Sequence, residues 1–180
     1  LLARVYDHVE HKYQKGFTML TLGWSDGYSF VPVGFNLLSS AKKSNRYQEI
    51  SDQIDHRTNG YKARKESLLS KPEAAIRLIR RALAAGIQAD YVLMDTWFTT
   101  EPMLAKILET GLDVIGMVKQ LKQRYSYRGK LYTLPELRRF VHYDNSKNIF
   151  GSIVVSTKTG IPVKIVIVRN RNKKSECLYL

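Results

Sequence analysis

The sequence predicts an α/β fold built on a mixed sheet. Two apolar runs flank Asp26-Gly27, the strongest short signal for an antiparallel hairpin. Two further short apolar runs, residues 91–94 and 112–118, each follow a helical pattern. The order helix, strand, helix, strand implies a parallel pair. Apolar residues make up 44% of the 180-residue chain, enough for a real core.

Each element has a local cause. Residues 16–24 are rich in strand formers, Ser25-Asp26-Gly27-Tyr28 supplies the turn, and residues 29–37 return. Pro32 marks an edge strand or a bulge there. Residues 39–71 are polar and basic without a clear period, the pattern of a long loop. Ser70-Lys71-Pro72-Glu73 has the form of a capping box with proline in the first helical turn. Ile76, Ile79 and Leu83 then share one face, and Gly86 stops the helix. The run Tyr91-Val92-Leu93-Met94 predicts a buried parallel strand. Thr99 or Thr100 caps the next helix, with Leu104, Ile107 and Leu108 as its apolar stripe and Gly111 at its end. After Lys119 the pattern becomes mostly β. Residues 125–132 predict a tight hairpin, 134–140 a short helix, and 149–156 and 161–168 two strands joined by Thr157-Lys158-Thr159-Gly160. The length suits one domain, with room for an insertion: an α/β core over 1–118 is followed by a basic, mostly β segment over 119–180.

Charge sharpens that division. The net charge is +13, and residues 1–118 carry 15 Lys/Arg against 13 Asp/Glu, while residues 119–180 carry 14 against 3. A concentrated basic surface is the footprint of a nucleic-acid binder; an acidic protein, an anionic lipid or simple solubility is the competing reading. Cys177 is the only cysteine, which excludes an internal disulfide and a multi-cysteine metal site and fits a reducing compartment. No apolar run is long enough to cross a bilayer, and no secretory signal is present. The chain lacks an initiator Met and reads as a piece of a longer one.

Asp95 stands where the strand 91–94 ends. Sites in open α/β sheets form at the carboxyl ends of strands. A lone carboxylate there is a candidate metal ligand or, equally, a helix-capping or loop aspartate. Trp97 and Phe98 follow it, either as packing or as a stacking platform for an unpaired base. Lys119 lies just past the next strand. Lys122, Arg124, Arg128 and Lys130 alternate with Tyr125, Tyr127 and Tyr132. That interleaving suits backbone contacts plus stacking, and equally a strand with one polar face. Arg77, Arg80 and Arg81 read as a solvated helix face. His8 and His11 lack a third metal ligand.

A hairpin, a helix and a parallel strand ending in Asp form the layout of a ribonuclease-H-like core whose first strand is absent. The sequence details carry a resemblance. The run from Lys15-Gly16-Phe17-Thr18 to Gly23-Trp24-Ser25-Asp26-Gly27, then Phe30-Val31-Pro32-Val33, Leu37-Leu38-Ser39-Ser40 and Leu93-Met94-Asp95-Thr96-Trp97-Phe98, closely resembles bacterial insertion-sequence transposases of the DDE type, in the family-four-like group. The resemblance implies a ribonuclease-H-like, retroviral-integrase-like domain with three acidic ligands for Mg²⁺ or Mn²⁺. Asp95 matches the second ligand. The resemblance also implies that residues 119–180 are the β-rich insertion the family carries after that ligand. The first aspartate is expected upstream of Leu1, because no strand is predicted before the hairpin, and the final glutamate is expected beyond Leu180. Asp7, Asp26, Glu136 and Glu176 do not match the family's contexts. The resemblance further implies that the full enzyme binds double-stranded DNA (transposon ends and target), assembles on it as a homodimer, cleaves phosphodiester bonds and transfers the 3′-hydroxyl, in the bacterial cytoplasm at the nucleoid. Asp95 is then catalytic, and the resemblance favours a basic residue around Lys119; Trp97, Lys122, Arg124, Arg128 and Lys130 are candidate DNA contacts from their pattern alone. A non-catalytic nucleic-acid-binding remnant and another nuclease on the same fold are the alternatives. With one ligand of three, the fragment alone is expected to be inactive.

Overall fold

The computed structural model describes residues 1–142, 144, 148–173 and 176–180. It is an α/β protein of two compact units, Leu1–Ala89 and Asp90–Leu180.

In the first unit, β1 (Ala3–Asp7) and β2 (Lys12–Gly16) form an antiparallel pair, as do β3 (Thr18–Ser25) and β4 (Phe30–Leu38). The Asp26-Gly27 hairpin is present, with Gly27 at φ +93°, where a side chain would be strained. The ladder shifts register between Leu22 and Gly23, so Val33 bulges out beside Pro32. A proline cannot donate to the ladder, and the bulge absorbs it.

Helix α1 (Asn59–Glu66) interrupts the stretch expected to be a loop. Thr58 caps it by accepting the Tyr61 N–H at 3.2 Å. Its sequence, NGYKARKE, has almost no apolar stripe, so periodicity gave no signal. Its last residue, Glu66, is buried and pairs with Arg77 and Arg81. Those arginines are therefore not a merely solvated face. They neutralise a carboxylate that burial alone would penalise.

Helix α2 (Lys71–Ala84) begins with the expected capping box. Ser70 Oγ accepts the Glu73 N–H at 3.4 Å, and the Ser70 N–H donates to Glu73 Oε2 at 3.1 Å. Ile76 and Ile79 are buried as expected, with Ala74 and Leu78 beside them. A Cβ on Gly34 would stand 3.2 Å from Leu78 Cδ2, so glycine lets β4 approach the helix.

The expectation that no strand precedes the hairpin is overturned by β1 and β2. They escaped notice because their turn is closed by His11, at φ +51°, rather than by Gly or Asn-Gly. Strand β1 ends on Asp7, but that carboxylate closes the hairpin, accepting the Val9 and Glu10 N–H groups and Gln14 Nε2.

In the second unit, β5 (Tyr91–Met94) runs parallel to β6 (Asp113–Gly116), joined by α3 (Glu101–Leu108). Among the described residues β5 is not buried on both faces, since Tyr91 is 49% and Leu93 68% exposed. The pair is a two-stranded sheet with α3 packed against β6. Met103 and Ile107 form the buried face of α3, while Leu108 is exposed. Strands β7 (Tyr125–Tyr127), β8 (Lys130–Tyr132), β9 (Ile149–Ser156), β10 (Pro162–Arg169) and β11 (Cys177–Tyr179) form one antiparallel sheet in the order β11-β10-β9-β7-β8. Phe150, Ile153, Val155, Ile165 and Ile167 alternate into its core, where Leu134 and Leu137 of α4 (Leu134–Leu137) close over them. No helix among the described residues is long and apolar enough to cross a membrane.

Truncating the fully buried Leu134 to Ala should cost about 2–5 kcal/mol in chemical denaturation. Ser70→Ala, which removes only the α2 cap, should cost about 1 kcal/mol.

Candidate functional site

The site grows from the turn between β5 and α3. The parallel strand must reverse into a helix within a few residues, and Asp95 makes that reversal. Its Oδ1 accepts the Trp97 N–H at 2.9 Å and the Phe98 N–H at 3.3 Å. Its carbonyl accepts the Thr99 N–H at 3.2 Å and the Thr99 hydroxyl at 2.7 Å. Thr100 occupies the N-cap position of α3 without a side-chain cap bond. Of the two structural readings of Asp95, the loop one holds for one of its oxygens: it closes the turn and does not cap α3. Oδ2 has no hydrogen-bond donor among the described residues, and the side chain is exposed. One carboxylate can therefore shape the turn and still offer an oxygen. Gly116 completes the junction: a Cβ there would lie 2.5 Å from Thr99 Oγ1.

Beside this turn lies an open cleft of about 440 Å³. Thr96, Thr99 and Thr100 form one wall; Lys119, Lys122 and Arg124 form another. Three of the six residues expected to meet DNA therefore line a cleft with Thr96, Thr99 and Thr100 of this turn; Asp95 itself is not among the lining residues. Arg128 and Lys130 do not line the cleft. They sit at the tip of the β7–β8 hairpin, where Arg128 takes φ +51° and lies over the Tyr127 ring at 5.1 Å. Trp97 is also outside the lining. It is 49% exposed and meets Phe98 edge to face at 5.0 Å.

Two charged lining residues were not foreseen, Glu101 and Lys158. Lys158 lies in the β9–β10 turn, which the sequence marks only as a turn. Hydrogen bonds from Thr157 and Thr159 hold the Glu101 carboxyl below the usual carboxylate range. Burial, with Glu101 nearby, pushes the Tyr125 phenol up to about 12.

The carboxylates set aside in the sequence have structural tasks. Asp26 accepts the Tyr28 and Ser29 N–H groups in the hairpin turn. Glu136 completes a capping box with Thr133, and Glu176 pairs with Lys173. Among the described residues, no three His, Cys, Asp or Glu side chains converge as a metal site.

A family model described as DDE superfamily endonuclease matches residues 1–131. The chain belongs to this family. No curated protein and no solved structure matches it. Membership in the DDE superfamily endonucleases bears out the resemblance read from the motifs, and it implies a nuclease or transposase type of function, a DNA substrate and divalent-metal chemistry. An exposed carboxylate oxygen is a hard donor of the kind Mg²⁺ and Mn²⁺ prefer, so Asp95 fits as one ligand of such an ion.

The two tasks of Asp95 are separable. Asp95→Asn retains an oxygen for the turn amides and should leave Tm within about 1 °C. Asp95→Ala removes it and should lower Tm by about 2–4 °C in a thermal melt.

Proposed function

We propose that the chain is part of the catalytic core of an insertion-sequence transposase with a ribonuclease-H-like fold. Residues 1–118 belong to that core, and residues 119–180 are a basic insertion that holds DNA. In this reading Asp95 is one of three carboxylate ligands of a Mg²⁺ or Mn²⁺ centre. When bound, such a centre activates the attacking hydroxyl or water and stabilises charge on the leaving oxygen. Asp95 contributes one oxygen to it, and the turn amides hold the carboxylate in orientation. In this reading the other two ligands come from residues outside these 180: Asp7, Asp26, Glu136 and Glu176 do not match the family's contexts, and no three such side chains converge among the described residues. The full enzyme cuts transposon ends and joins the 3′-hydroxyl to target DNA, assembled on the DNA as a homodimer.

One observation carries the reading most: the residues that follow an exposed carboxylate at the end of a parallel strand, Thr96, Thr99 and Thr100, line one cleft with Lys119, Lys122 and Arg124. Those cations match the phosphate backbone, and the carboxylate matches the metal that works on it. Trp97, exposed on the same turn, supplies a ring face for an unpaired base. Arg128 and Lys130 extend the basic surface to the hairpin tip.

Counterion release makes the DNA contact measurable. Each phosphate contact contributes about 0.9 to the slope of log affinity against log salt. Replacing Lys119, Lys122 and Arg124 together by Ala should flatten that slope by two to three, by roughly the same arithmetic. An unchanged slope would contradict the cleft as the DNA site. Metal-dependent nicking of DNA by this chain alone, abolished by Asp95→Ala, would contradict the claim that the other ligands lie elsewhere.

A further inference from the structure

The β9–β10 turn is built more firmly than a surface loop needs. Thr157, buried at its base, exchanges backbone hydrogen bonds with Ile161 and Gly160 at 2.8 and 3.1 Å. Its hydroxyl accepts the Ile161 N–H at 3.1 Å. Gly160 turns the chain at φ +93°. Thr159 then donates both its N–H, at 2.7 Å, and its hydroxyl, at 2.6 Å, to a single oxygen of Glu101. These bonds join residues 58 apart in sequence. Hydrogen bonds to a carboxylate are the strong kind. Glu101 itself stands in the first turn of α3, where the helix dipole favours a negative group.

Lys158 lies between the two threonines and lines the cleft with Lys119, Lys122 and Arg124. We propose that Glu101 is a positioning residue: by clamping the β9–β10 turn to the start of α3, it fixes Lys158 in the cleft, where Lys158 contacts a DNA phosphate. This rests on the reading of the cleft as a DNA site. A lysine on a fixed turn loses less conformational freedom on binding than one on a mobile loop. The consequence runs against simple electrostatics. Removing a negative charge from a basic cleft should strengthen anion binding if charge alone matters. Removing this one weakens it.

The test is equilibrium binding of duplex DNA by the 180-residue chain over a salt series. Lys158→Ala should weaken binding about fivefold at 0.15 M salt and flatten the slope by about 0.9. Glu101→Ala should weaken binding to a similar degree, and the double variant should be no weaker than Lys158→Ala alone. Glu101→Gln keeps an oxygen for Thr159 and loses the charge, so it should bind as well as the parent or better. Glu101→Ala binding as tightly as Glu101→Gln would overturn the proposal, as would additive losses in the double variant. If Glu101→Ala fails to fold by circular dichroism, Thr159→Val, which removes only the hydroxyl donor, carries the test. It should show a smaller loss in the same direction, and parent-like binding overturns the proposal. Binding that depends on Lys119, Lys122 and Arg124 but ignores residues 101 and 158 defeats the clamp alone. A parent chain without salt-dependent DNA binding defeats the DNA reading and the clamp together.

Discussion

The parallel pairing of β5 with β6 is the constraint on which the site depends. Parallel neighbours cannot be joined by a hairpin, so the chain must leave β5, cross through α3 and return. That detour puts a turn at the carboxyl end of β5 and a helix start immediately after it. Asp95 forms the turn and Glu101 opens the helix. The same turn brings Thr99 against Gly116 at the end of β6, so both strand ends are fixed to one structure. The catalytic candidate and the clamp are thus two products of one connection.

Charge is then distributed with a purpose. Cations supplied by the last third of the sequence line the cleft beside this turn. Glu101 is the one carboxylate among the lining residues, and its bound oxygen is committed to Thr159. Asp95 is similarly divided, with one oxygen held by turn amides. In both cases backbone or threonine donors orient a carboxylate, which is what a preorganised site requires.

Much of this was legible in the sequence because the signals are local. Asp26-Gly27 declares a hairpin, Ser70 with Glu73 declares a helix start, and the run from Tyr91 to Met94 before Asp95 declares a strand with a polar end. What was not legible depends on tertiary partners or on atypical turns. Helix α1 has no apolar face and is anchored through Glu66 to Arg77 and Arg81, which no periodicity reveals. The β1–β2 turn uses His11 where a turn signal expects Gly or Asn. Strand β11 has three residues and depends on distant partners, pairing with β10 and bridging to Val118. The exposure of Leu93 was missed because a continuous apolar run looks the same whether one face or two are covered. At the site, Asp95, Lys119, Lys122 and Arg124 could be named from pattern and resemblance. Glu101 and Lys158 could not, since the clamp spans 58 residues.

The central claim is that Asp95 holds a divalent metal beside bound DNA. Mn²⁺ titrated into the ¹⁵N-labelled full-length protein, which in this account carries all three ligands, bound to duplex DNA tests it most directly, because a paramagnetic ion broadens nearby amide signals. The account predicts broadening of the Asp95, Trp97 and Phe98 amides that disappears in Asp95→Asn while the DNA remains bound. Equal broadening in that variant, or none at these amides in the parent protein, would contradict it.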